Sequence, residues 1–430
     1  MTSAPIEARP ELGDGTRERA LDAADPLARY RERFLLPTNE AGQARAYLAG
    51  NSLGAQPRGA REVVEDRLDV WGRHAVDGWF AGPSPWLDAE RALAEMTARL
   101  VGARPDEVTT ANTLTVNLHL LLAAFFRPAG RRTAILIDAP TFPSDRYAVE
   151  AQLRIHGLEP ASHLIVVRPR TGEWCVRPDD IEAAILEHGD RLAVTLLAGI
   201  NYASGARSPI GRLTEVSHRV GAIAAWDLAH AAGNVPLSLH DDEVDIAAWC
   251  TYKYLNGGPG AIAQFFVHAR HAGDPERAHP AGWWGNEPAT RFRMAERFEP
   301  APGADGWRIS TPPVLSLAPL AVSLAIADEA GIAALRERSV RLTAHLEALI
   351  EGHVPDVTII TPRDAEARGA QLSLHVADAA ARLAAIEAFD VVGDVREPDL
   401  LRLAPTPLYT SWHDVWRAAS ALAATTKESR

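Results

Sequence analysis

The chain has 430 residues, 47% hydrophobic and 23% charged, enough for two or three structural domains with buried cores. A net charge of −12 with no compensating basic tract argues against nucleic acid or an anionic membrane as partner. It leaves room for a small anionic cofactor, which needs only a local site. The two cysteines, Cys175 and Cys250, form no CxxC, so neither a disulfide framework nor a zinc site is expected, and a reducing cytoplasm fits.

No basic segment followed by an apolar one opens the chain, so no secretory leader is expected, and apolar stretches such as 118–126 are too short to span a bilayer. Residues 1–25, rich in Glu, Asp, Arg, Pro and Gly, predict a mobile arm. The pattern over 26–48 is helical, with a break at Leu36-Pro37-Thr38-Asn39. Gly50-Asn51-Ser52-Leu53-Gly54 is a literal GxSxG, which reads either as a nucleophile elbow or as a tight turn with a glycine at each end. Because Ser52 precedes most of the sheet, the turn is the better reading. Helices are predicted over 58–80 and 88–101. The aromatic loop from Asp77 to Trp86 between them suits either a pocket for a flat ligand or packing on the body of the fold.

Thr109-Thr110-Ala111-Asn112-Thr113-Leu114-Thr115-Val116-Asn117 runs into an apolar helix. Hydroxyls at a helix start are caps by default, yet the same free N–H groups accept a phosphate. From 133 onward strands and helices alternate. Strands are predicted over 133–137, 163–167, 192–198, 222–226, 244–250 and 261–267, with helices at 144–157, 178–188 and 210–220. This is the pattern of a mostly parallel sheet with helices on both faces, whose ligand lies at the carboxyl ends of strands. Phe142, Asp145, Asn201, Asp227, His230 and Lys253 all follow such ends.

Alone, Lys253 is a solvated loop lysine and Asp227 a strand-end cap. Together, with Asp227 26 positions before a lysine that opens a glycine-rich turn, they fit pyridoxal phosphate (PLP). The lysine amine forms a Schiff base with the aldehyde, and the carboxylate keeps the pyridinium nitrogen protonated. Neither GxGxxG after the first strand nor GxxxxGK[ST] nor HExxH occurs; His268 and His271 read as a helix-surface pair, and no metal is expected. Residues 272–312 are loop-rich, 314–351 helical with a break near Gly331, and from 356 short strands and helices return as a smaller α/β domain. There Arg402, on a strand at 399–404, is a candidate carboxylate clamp or an ordinary ion-pair partner.

The chain resembles the kynureninases, fold-type-I PLP hydrolases of the aspartate aminotransferase superfamily, from about residue 30 to about residue 420. The motifs that carry the resemblance are Leu48-Ala49-Gly50-Asn51-Ser52-Leu53-Gly54, Leu114-Thr115-Val116-Asn117-Leu118, Phe142-Pro143-Ser144-Asp145, Trp226-Asp227-Leu228-Ala229-His230-Ala231, Tyr252-Lys253-Tyr254-Leu255-Asn256, Gly282-Trp283-Trp284-Gly285, Arg308-Ile309-Ser310-Thr311-Pro312-Pro313 and Arg402-Leu403-Ala404-Pro405. It implies an α/β fold with a mostly parallel seven-stranded central sheet. The division is an N-terminal arm and segment (1–60), a large PLP-binding domain (61–315) and a small C-terminal domain (316–430).

Residue by residue, the resemblance implies that Lys253 carries PLP and shuttles protons, Asp227 pairs with the pyridinium nitrogen, and Phe142 stacks on the ring. Asp145 and His230 hold its polar edge. Leu114 (through its backbone), Thr115 and the Tyr252 hydroxyl bind the phosphate, joined by Trp283 and Thr311 from the other subunit of a homodimer, and Ser144 is a further cofactor-binding residue. Arg402 clamps the substrate α-carboxylate, and Ser52 and Trp79 lie near the aryl ring, which removes the elbow reading. Tyr252 is also a candidate acid or base. The implied reaction is hydrolysis of the Cβ–Cγ bond of L-kynurenine to anthranilate and L-alanine, in tryptophan catabolism or NAD biosynthesis in the cytoplasm. Trp79 stands where vertebrate-type enzymes have histidine, and Asn286 where a histidine is frequent. Plain kynurenine is expected over 3-hydroxykynurenine or another ring-substituted kynurenine, because Trp79 is apolar. Asn201, Trp86 and Trp284 have no assigned role.

The alternatives are another fold-type-I reaction, a non-enzymatic regulator and a serine hydrolase. A desulfurase needs a mobile cysteine, but Cys250 lies beside the lysine and Cys175 is remote. Lys253, Asp227 and Arg402 are all intact, which argues against a regulator.

Overall fold

A computed structural model describes residues 12–82, 85–272, 279–294 and 296–426. One sheet is built from β1 (Val108–Thr110), β2 (Ala134–Asp138), β3 (Leu164–Val167), β4 (Leu192–Ala198), β5 (Ile223–Asp227), β6 (Ile246–Trp249) and β7 (Gln264–Val267). Their order across it is β1-β7-β6-β5-β4-β2-β3. Pairing is parallel from β3 through β6, and β7 runs antiparallel to both β6 and β1. The predicted seven-stranded, mostly parallel α/β sheet is therefore present. The reversal at β7 has a local cause: no helix intervenes between β6 and β7, so the right-handed crossover that a parallel neighbour needs cannot form. Thr109 and Thr110, expected to lead into a helix, sit in β1, where β-branched side chains suit a strand.

Alternation along each strand sends neighbours to opposite cores. Leu136, Leu197, Trp226 and Phe266 face one layer, with Ile181, Ile185, Leu213 and Val216. Ile135, Ile137, Val194, Leu196, Ala225 and Phe265 face the other, with Leu118, Leu121, Val149 and Leu153. Buried on both faces, these strands are continuous apolar runs, which made them legible. The sheet order turns back beside β2 and β4, which opens a crevice at their carboxyl ends.

A second sheet holds β8 (Thr358–Ile359), β9 (Leu372–His375), β10 (Asp394–Arg396) and β11 (Leu400–Leu403), ordered β8-β9-β11-β10. Its core joins Leu372, Leu374, Leu401 and Leu403 to Leu342, Leu346, Leu349 and Ile350 of the helix Ile332–His353. Those four recur at the i, i+4, i+7, i+8 spacing of one helix face. No single helix among the described residues is long and apolar enough to cross a membrane.

Two sequence expectations are corrected near the N-terminus. Of the predicted arm, residues 1–11 lie outside the described residues, but Thr16–Ala24 is a docked helix. Asp22 accepts from the backbone N–H groups of Trp412 (2.7 Å) and His413 (3.0 Å), the free donors opening the helix Trp412–Ala424. Asp25 pairs with Arg338 at 2.6 Å, and Glu18 meets His345 at 2.9 Å. Charges that suggested a solvated arm are thus spent on docking. The helix read over 26–48 is reduced to a 3-10 turn at Ala28–Arg33. Beyond it the chain is divided between cores: Tyr30 and Phe34 join the large one, Ala46 and Leu48 the small one. Pro37 and the bias it places on Leu36 stop a helix there.

Candidate active site

The crevice at the carboxyl ends of β2, β4 and β5 is lined by Asp138, Phe142, Asp145, Asp227, His230 and Lys253, with Thr115, Ser144, Tyr202 and Tyr252 around them. Strand ends explain the convergence: Asp138 closes β2 and Asp227 closes β5, while Lys253 lies in the turn after β6. The turn is clamped by the Gly50–Gly54 segment. Gly54 N–H donates to the Tyr252 carbonyl at 2.7 Å, and a Cβ on Gly54 would run into the Lys253 carbonyl oxygen and Asn256 Oδ1. The GxSxG thus works as a close-approach turn beneath the lysine, and Ser52 is engaged elsewhere.

Lys253 Nζ donates to His230 Nε2 at 3.0 Å. His230 is buried, and burial with the Lys253 charge holds its imidazole well below the usual range, so the neutral ring is an acceptor. Burial likewise lifts the Asp138 carboxyl to about 6, although the Ala198 N–H donates to it at 3.1 Å. Asp145 is raised well above the usual carboxylate range by burial and by the charge of Asp227. Burial also raises the Tyr252 phenol, which keeps its proton and is a hydrogen-bond donor at neutral pH. Three acidic side chains share this floor with one lysine, and the crowding with burial pushes two of them, Asp138 and Asp145, toward the protonated form. Asp138 was missed in the sequence because it ends an apolar run as an ordinary strand cap would.

Two helices begin at the cleft, Leu114–Phe125 and Pro143–Ile155, and neither has a side-chain cap bond from its N-cap residue, Thr113 or Phe142. The Thr115 and Ser144 hydroxyls meet at 2.6 Å between them. The hydroxyls at 109–117 therefore leave the first-turn N–H groups free for an anion. Phe142 is 41% exposed at the mouth, steadied edge-on by Tyr202 at 5.2 Å. Asp145 Oδ1 is buried without a hydrogen-bond partner among the described residues. An anion cradle, an exposed aromatic face, an orphaned carboxylate oxygen and a lysine fit PLP.

The other expected residues lie outside this lining. Arg402 is fully buried and bound to Asp394 and Ser52. Trp79 packs on Trp86 (5.5 Å) and Trp284 (5.4 Å). Trp283, 47% exposed, donates through Nε1 to the Arg291 carbonyl, and Thr311 is exposed. The unassigned residues have structural work. Asn201 ties its own loop, accepting from Ala203 N–H (3.0 Å) and donating to the Pro140 carbonyl (3.0 Å). Trp284 Nε1 donates to Glu90 at 2.8 Å. The surface reading of His268 and His271 is corrected: His271 is buried and bound to Asp245 at 2.7 Å.

Comparison with known proteins gives a consistent picture. A family model described as the kynureninase C-terminal domain matches residues 335–422. The chain is 53% identical over 401 residues to a kynureninase of Xanthomonas campestris pv. campestris (strain B100), covering 92% of this chain and 94% of the relative. Among solved structures it resembles the cysteine desulfurase CsdA of Escherichia coli, with a TM-score of 0.75 at 15% identity over 93% of this chain and 98% of the other. It also resembles a C-DES mutant with glycine covalently linked to its PLP cofactor, with a TM-score of 0.75 at 16% identity over 91% and 98%. At such identities the structural likeness establishes the fold.

Proposed function

The chain belongs to the kynureninase family, and on that footing we propose that it hydrolyses the Cβ–Cγ bond of L-kynurenine, with water, to anthranilate and L-alanine, using PLP at Lys253. The observation that carries this reading is 53% identity across 92% of the chain, because the fold alone hosts many reactions. PLP, when bound, supplies an electron sink conjugated to the substrate α-carbon.

The chain's own residues then have these parts. Lys253 Nζ holds the cofactor and afterwards takes and returns the Cα proton, with neutral His230 as its hydrogen-bond acceptor 3.0 Å away. Asp227 receives the pyridinium N–H. Phe142 covers the ring, and Asp145 with His230 binds its polar edge. Leu114, Thr115, Ser144 and Tyr252 bind the phosphate. Tyr252, which holds its proton at neutral pH, is the acid/base of the later proton transfers. The substrate carboxylate is received at the Arg402 cluster. Trp283 and Thr311, both exposed on one chain, serve the site of the second subunit of a homodimer. Trp79, packed on Trp86 and Trp284, is the apolar residue we place near the aryl ring, where it favours kynurenine over the 3-hydroxy compound.

The test is anthranilate fluorescence from purified protein with PLP and kynurenine, run beside 3-hydroxykynurenine. Expected is faster cleavage of kynurenine, with loss of the near-visible cofactor band and at least a thousandfold loss of activity in Lys253→Ala, the order of an essential proton-transfer group. Undiminished turnover in that variant would refute the role of Lys253.

A further inference from the structure

We propose that Glu107, His240 and His268 form a binding site for a divalent transition metal of the zinc class, a clip that joins three chain segments at the end of the sheet opposite the cleft. Glu107 closes the turn Pro105–Glu107 just before β1, His268 follows the last residue of β7, and His240 lies in the loop ahead of β6. β1 and β6 begin at this end and β7 finishes there, whereas the cleft lies at the carboxyl ends of β2, β4 and β5. The ligands come from segments far apart in the chain, which is why motif spacing predicted no metal.

The donors have the spacing that a metal needs. One ligand atom from each residue lies within 4.8 Å of the other two. His240 Nδ1 is 2.9 Å and His268 Nδ1 is 3.7 Å from Glu107 Oε1. A tetrahedral ion with bonds of about 2.0–2.1 Å sets its nitrogen and oxygen donors about 3.3 Å apart, between those two values. Glu107 is wholly buried, and the backbone N–H groups of Ala269 (2.9 Å) and Arg104 (3.0 Å) aim its oxygens, the outer support that fixes a ligand carboxylate. His268 Nδ1 accepts the Arg270 N–H at 3.1 Å, so it carries no proton; that exposed N–H turns to water when a metal takes the lone pair. His240 Nδ1 donates to the Glu107 carboxylate, and the metal takes the place of that proton, which leaves for His240 Nε2 or for solvent. The two rings are nearly parallel, with centroids 5.0 Å apart, and the His240 side chain, 35% exposed, is free to swing its nitrogen onto the ion. The charge of nearby Arg270 is already paired with Asp245 at 2.5 Å. Two imidazoles and one carboxylate select zinc, cobalt or nickel over magnesium and calcium, which take oxygen ligands. Water completes the fourth position on the exposed side of His240.

The test uses PLP-loaded protein stripped of metal by dialysis against a chelator. It is titrated with zinc chloride in competition with a fluorescent chelator, and with cobalt chloride in the visible. Expected are one zinc per chain, a melting temperature raised by a few degrees, and the intense visible bands of tetrahedral cobalt. Glu107→Gln and His240→Ala should each weaken zinc binding by about tenfold or more and abolish the cobalt bands, with an unchanged cofactor band showing that each variant folds. His218→Ala removes a neighbouring histidine bound to Asp245 and should leave zinc affinity as it was. Absence of zinc binding in wild type, or binding that survives both Glu107→Gln and His240→Ala, would overturn the site and leave Glu107 and His240 as a hydrogen-bonded pair only.

Discussion

At the scale of single residues, the floor of the cleft is a problem in charge. Asp138, Asp145 and Asp227 crowd one lysine, and the protein solves it partly by protonation. Burial moves Asp138 from 3.8 to about 6, so between those values the folded chain holds a proton that the unfolded chain has released. Stability from this group is complete below pH 3.8 and is lost as pH rises through 6, by at most about 3 kcal/mol. Asp138→Asn should flatten the pH dependence of urea unfolding of the cofactor-free protein between about pH 4 and 6. A residual slope of the same sign should remain from Asp145, which is also raised. An unchanged slope would place the proton elsewhere.

At the scale of elements, the site depends on turns that meet. The Gly50–Gly54 segment presses on the lysine turn, and the contact has no room for a methyl group, because the obstacle includes the Lys253 carbonyl. Gly54→Ala should displace the lysine turn and lower kcat/KM for kynurenine by tenfold or more. The stability cost should be only about 1–3 kcal/mol, as for other overpacked sites. Steady-state kinetics beside urea unfolding would separate the two, and an unaffected kcat/KM would show that the turn tolerates the shift. The hairpin of β10 and β11 makes the same point about legibility. Asp394 carried no motif, yet a turn at Glu397-Pro398-Asp399 places it opposite Arg402. An acid eight positions before a strand arginine, with a turn between, was the available clue.

At the scale of the molecule, Trp283 and Thr311 are exposed, and the proposal that they serve a cofactor held by a second chain can be tested. Mixing two inactive variants tests this. Let Lys253→Ala be co-refolded with a Trp283→Ala, Thr311→Ala double variant. In a shared-site dimer, one of the two sites in each mixed dimer is intact, so about a quarter of wild-type activity should return in an equimolar mixture, on the closed two-fold symmetry usual for such oligomers. If each chain serves its own site, none returns.

Six of the seven central strands, the helix starts beside them and the order of Asp227 and Lys253 were readable from the sequence alone. Strands buried on both faces leave unbroken apolar runs, and ligands gather where such strands end. Motif identity across most of the chain was likewise enough to place it in its family. Only the tertiary structure decided the rest. Polarity does not say whether a charge meets water or a partner, so Thr16–Ala24 read as an arm although Asp22 docks it on a helix nearly 400 residues away. For the same reason the sequence left Arg402 open between a carboxylate clamp and an ion-pair partner, and only the fold sets it against Asp394 and Ser52. Whether a guanidinium is free is a property of what the fold brings beside it.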